Sequence, residues 1–330
     1  MKKGILRFTH FLDQLQELLA RASKQKNPAL WLYQHNARTT LFMLEALAKL
    51  YAGLHNQKRF LKLDQQFKIL EDILGAIDYY DVFAKEFAAN KKIPAAVTGY
   101  LQAQTREKIQ QLNEVLLEKK WLSQTHERMN KIRKKIATAA WLKEKDEVRA
   151  IEVFYRTSVK TIIDFSNRSD FHFTNVESDV HALRRKLRWL SIYPQALMGC
   201  IQLSLSVKQP PYLKKYLLKE IRSSPFNQMP DAGDNLHFLL LEKNHFYALS
   251  WMIAALGKLK DNGLRIIAIK EALQQNHAIS DGLAFKQAYA CTGAEQPKIN
   301  KLLDEADRIC KVYFTEQNLQ NLVIGTAAVK

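Results

Sequence analysis

From Gln57 to Ala89 the chain runs through 33 residues with one glycine and no proline, in a pattern that repeats with the period of an α-helix. Such a stretch buries its apolar side only against other helices, and this constrains the fold more than any other feature. The same periodicity recurs over residues 4–23, 28–55, 95–120, 122–140 and 143–166. After a polar, aperiodic loop at 166–178 it resumes over about 177–206, 209–221, 235–257, 261–276, 280–291 and 296–315. Among 330 residues there are only 11 glycines and 8 prolines, so few points interrupt these helices. No pair of segments reads as a strand hairpin. The expectation is an all-α chain.

An internal repeat organises it. HNARTTLFML (35–44) resembles HALRRKLRWL (181–190), which lies 146 residues further on (181 minus 35). LGAIDYYDV (74–82) resembles LGKLKDNGL (256–264), 182 residues on (256 minus 74). Two motifs in the same order predict a duplicated helical unit, with half-repeats at 1–166 and 177–330 and an insertion around 207–236. The glycines of the second motif read as helix C-caps, and Asp78, Asp81 and Asp261 as N-caps of following helices.

On a helical wheel of about 100° per residue, His181, Arg184, Arg185 and Arg188 fall within one stripe, and Leu183, Leu187 and Leu190 fall opposite. Trp189 lies on the flank. Guanidinium groups donate paired hydrogen bonds to phosphate oxygens, and three of them within two turns repel one another until an anion sits between them. The first-half stripe is weaker. It carries His35, Arg38, Thr39, Phe42 and Lys49, with Thr39 in the place of Arg185 and Phe42 in the place of Arg188. Arg156 and Lys160, on the helix preceding the second repeat, are candidates to extend the basic surface. So are Lys215, Lys219 and Arg222, and the cluster of Lys131, Arg133, Lys134 and Lys135, although such runs are more often solvated faces.

Fifty Lys and Arg against 33 Asp and Glu give a net charge of +17, which favours encounter with polyanions without selecting among them. No P-loop, GxGxxG, HExxH or GxSxG motif is present, so nothing in the sequence argues for catalysis. Cys200, Cys291 and Cys310 form no CxxC pair, and Cys200 and Cys310 read as core thiols. No run of about 18 apolar residues occurs. The expectation is a cytoplasmic protein in a reducing compartment.

The two His-x-x-Arg helices and the two Leu-Gly…Asp elements resemble the CHAD family, the conserved-histidine α-helical domain. The match is better in the second half. His181, Arg184, Arg185 and Arg188 follow a His-x-x-Arg-Lys-x-x-Lys pattern, and LGKLKD follows Leu-Gly-x-Leu-Asn-Asp with Lys260 in the place of Asn. In the first half, His35, Arg38, Leu74, Gly75, Asp81 and Val82 match, whereas Asp78 and Tyr79 stand at the family's Arg-Asp positions. The resemblance implies two helical-bundle halves related by a pseudo-twofold axis. Their histidine helices would face a shared basic groove or pore that binds inorganic polyphosphate without catalysis. On the residues alone, RNA binding and a degenerate scaffold docking an acidic partner stay open. So does a metal-dependent phosphoryl enzyme using Asp78, Asp81 or Asp261.

Overall fold

A computed structural model describes residues 2–168, 170–204, 210–293 and 296–328. The chain is an all-α helical bundle with one small sheet. Its first half comprises α1 (Lys3–Ala22), α2 (Pro28–Gln34), α3 (Ala37–Leu54), α4 (Gln57–Ala88), α5 (Ala95–Glu118), α6 (Glu127–Ala137) and α7 (Glu144–Asn167). A π-helical turn (Val176–His181) leads into α8 (Ala182–Ala196), and α9 (Lys219–Arg222), α10 (Lys243–Asn276), α11 (Asp281–Thr292) and α12 (Ile299–Thr315) follow. Among the described residues, no helix is long and apolar enough to cross a membrane.

The main core draws on both halves. Leu41, Leu44 and Leu47 of α3 meet Leu183, Leu187 and Leu190 of α8, all buried, so the wheel assignment of α8 holds. A second cluster forms where the ends of α4 and α5 meet the C-terminal half of α10 and α11. Pro194 sits inside α8, where it donates no hydrogen bond to Leu190. The carbonyl it leaves open accepts one, at 2.6 Å, from the buried hydroxyl of Tyr155.

Five expectations are corrected. The segment read as one helix over 28–55 breaks at His35–Asn36, because Asn36 takes a left-handed conformation (φ 60). Gly75 and Gly257 are not caps: both lie inside long helices, α4 and α10, and Asp78, Asp81 and Asp261 lie inside them too. And strands exist. β1 (Ile201–Leu203) pairs in parallel with β2 (His237–Leu241), which pairs antiparallel with β3 (Val323–Ala328). The helix expected to reach 206 stops at Ala196. Met198 and Gly199 both have positive φ (48 and 83), and a Cβ on Gly199 would meet the Asp231 carbonyl oxygen at 2.0 Å. Its last residues, 205–206, and the start of the predicted insertion, 207–209, lie outside the described residues. The helix predicted over 209–221 is a 3-10 turn (Pro211–Tyr216) followed by the short α9.

A charged cluster lies inside the core. Arg7 of α1 donates to Tyr51 of α3 (2.8 Å) and to Glu147 of α7 (2.7 Å), and the Tyr51 hydroxyl donates to the other Glu147 oxygen (2.8 Å). Beside it Cys200 is fully buried, and burial pushes its thiol up to about 11, consistent with a core role.

Burial also pushes the imidazoles of His55 and His245 below their ordinary pKa. The unfolded chain therefore binds more protons than the folded one below about pH 6.5, so stability is complete above that value and falls as pH drops through it. Thermal midpoints are expected to decline between pH 7 and 5. Replacing His245 with Gln, which can still donate to Asn318, is expected to flatten that slope.

Candidate phosphate-binding groove

The two motif pairs pack in similar ways. In the first half Arg38 of α3 lies against Gly75 of α4, where an added Cβ would stand 2.7 Å from its Nη2. In the second half Arg184 of α8 lies against Gly257 of α10, where a Cβ would stand 3.0 Å from its Nε. Each glycine admits a guanidinium against the helix backbone. The anchors differ. Arg184 Nε donates to the Ile253 carbonyl (3.2 Å), whereas Arg38 Nε donates to the Glu71 side chain (2.8 Å). Glu71 stands where the second repeat has Ile253 (71 plus 182), and Arg38 is further paired with Asp78 at 3.2 Å.

α3 and α8 pack together and, with α4 and α10, enclose a groove of about 430 Å3. Arg188, Arg185 and His181 line it from the second half, and Arg38 and Phe42 from the first. Phe42, which replaces an arginine of the repeat, supports that arginine's counterpart: the Arg188 guanidinium sits 4.4 Å from its ring centroid and that of Arg38 5.2 Å away. Cation–π contact of this kind compensates part of the cost of burying a guanidinium. Arg188 forms no salt bridge among the described residues, and Glu71, which is held by Arg38, favours its charge from further off. Burial, then Arg184 and Arg38, push its pKa down to about 10. Arg185 is exposed at the mouth. His181 ends the π-helical turn with Nδ1 2.8 Å from Glu177, whose carboxyl this hydrogen bond holds below the usual range. Trp189 packs on the flank, edge-on to Phe42.

The other predicted residues are elsewhere. His35 caps α2, exposed and stacked on Trp31 with centroids 3.8 Å apart, so it shares no stripe with Arg38. Lys49 pairs with Glu45 and Asp64 and lies over the Trp189 ring. Arg156 bonds Glu152 and the Ile324 carbonyl (3.1 Å), while Glu152 accepts from the Thr326 N–H. The two thus cover the open edge of β3. Lys160 is exposed on α7.

Sequence reasoning missed the acidic side of the groove. Glu71 and Asp72 of α4, Glu177 of the π turn and Glu271 of α10 all line it, with Tyr79 and Tyr80. The 182-residue offset was the available signal, since it sets Glu71 opposite Ile253 and Asp78 opposite Lys260. The groove is therefore mixed in charge, with its unpaired cations on the α8 wall. No family model matches the chain, and no curated protein matches it in sequence.

Proposed function

We propose that the chain is a divergent, non-catalytic CHAD-type protein whose groove binds inorganic polyphosphate. The observation that carries this reading is Arg188, drawn into the groove beside Arg184 and Arg38 with no salt bridge of its own among the described residues, since nearby Glu71 is held by Arg38. A cation in that state gains most from an incoming anion, because the anion relieves mutual repulsion and supplies the hydrogen bonds that burial removed. Arg185 at the mouth provides a second contact. Arg38 contributes less, since Glu71 and Asp78 already neutralise it. The net charge of +17 speeds encounter with a polyanion.

Titration with long-chain polyphosphate at low ionic strength tests the proposal. Saturable binding that weakens steeply with added salt is expected, because each neutralised phosphate releases counterions. Structured RNA is expected to compete poorly. The Phe42 ring is taken up by Arg188, Arg38 and Trp189, and base stacking along a strand needs a row of free aromatic faces. Absence of polyphosphate binding at low salt overturns the proposal, and displacement of polyphosphate by RNA at equal charge favours a nucleic-acid role instead.

A further inference from the structure

The wall opposite Arg188 is built as carefully as the arginine wall. Glu271 of α10 accepts hydrogen bonds from Tyr80 of α4 (3.0 Å) and Tyr100 of α5 (2.7 Å). Both phenols donate to the same oxygen, Oε1, and Oε2 accepts none from the described residues. The carboxylate is thus held in a fixed orientation by two helices from the other half of the chain, with one acceptor left over, and it lines the groove.

The two walls stand at different levels of α4. Arg188 shares the Phe42 ring with Arg38, whose partner Glu71 precedes Tyr80, the donor to Glu271, by nine residues, about 13 Å of helix. Tyr79, Leu264 and Ile267 give the stretch between them an apolar side. Among the described residues, the groove therefore offers unpaired donors at one end, an apolar face in the middle and an unpaired acceptor at the other. Its volume of about 430 Å3 lies within the range of roughly 300–1,000 Å3 usual for small-molecule sites.

A bare phosphate chain matches the first end only. Extended along the groove, it would bring negative charge against Glu177 and Glu271, at a cost in a partly desolvated site. We infer that the preferred ligand is a phosphate chain capped by an organic group, namely a nucleoside polyphosphate. The phosphates lie on Arg188 and Arg185, the base packs on Tyr79, Leu264 and Ile267, and a base amine or ribose hydroxyl donates to Glu271 Oε2. This inference rests on the phosphate reading of the Arg188 wall and adds the identity of what the opposite wall holds.

The test is a set of equilibrium titrations at low salt without divalent metal, using the four common nucleoside triphosphates, inorganic tripolyphosphate and the free nucleosides. At least one nucleoside triphosphate is expected to bind about tenfold or more tightly than tripolyphosphate, and the nucleosides alone weakly. Glu271→Gln keeps an oxygen for Tyr80 and Tyr100 but removes the charge. It is expected to abolish that preference while tripolyphosphate binds as well as before or better. Tyr79→Leu, with helical content checked by circular dichroism, is expected to act in the same direction and guards against a folding defect in the first variant. Tripolyphosphate binding as tightly as every nucleoside triphosphate, or a preference that survives Glu271→Gln, overturns the inference and leaves the polyphosphate reading standing. If neither bare nor capped phosphate chains bind, both fall together.

Discussion

Replacing Glu147 with alanine is expected to destabilise the protein by about 3–5 kcal/mol, because it leaves the Arg7 charge buried with no anionic partner. Arg7 and Glu147 are 3% and 2% exposed, and Arg7 Nη2 already lacks a hydrogen-bond partner, so nothing nearby takes over the charge. Arg7, Tyr51 and Glu147 come from α1, α3 and α7, so the loss loosens three helices of the main core at once. Chemical denaturation with a two-state fit measures the effect. The double variant Arg7→Met with Glu147→Leu is expected to recover much of the loss, since apolar replacements of a buried ion pair are often neutral or stabilising. A single Glu147→Ala change costing less than about 1 kcal/mol contradicts this reading of the core.

The second large effect concerns binding. Arg188→Ala is expected to lower polyphosphate affinity by about 10- to 100-fold, the value of one charge-assisted contact of about 1.5–3 kcal/mol. Thermal stability is expected to hold or rise, because the substitution removes a partly buried cation that forms no salt bridge among the described residues. A merely structural arginine behaves the other way, with stability lost and affinity secondary. Arg185→Ala is expected to weaken binding less, and His35→Ala and Lys49→Ala to leave it unchanged. Glu71→Gln is expected to tighten binding by releasing Arg38 from its strongest partner. Calorimetric titration alongside melting curves separates these outcomes.

Much of the fold was legible from periodicity, and some of the site from the repeat. The leucine face of α8 follows from spacing alone, because 100° steps leave Leu183, Leu187 and Leu190 one side to occupy. The glycines misled because local sequence does not separate a helix end from a close approach. Gly75 and Gly257 admit arginines from other helices, a reason that appears only once those helices are packed. The strands were hidden for a similar reason. β1 has three residues and finds its partner 38 positions later (Ile201 with Leu239), so no hairpin signal exists to read. His35 lies apart from Arg38 because the left-handed Asn36 breaks the helix that was to carry both. Hidden most completely was the acidic wall, since Glu271 meets its tyrosines 191 and 171 residues away.

Whether the α8 arginines hold phosphate is decided by a crystal of the protein soaked with tripolyphosphate. Phosphorus density is expected within hydrogen-bonding reach of the Arg188 guanidinium, with Arg185 closing over it and His181 and Glu177 at the border. Phosphate ordered only on the exposed lysines of α6, Lys131, Lys134 and Lys135, with the groove beside Arg188 empty, would contradict it.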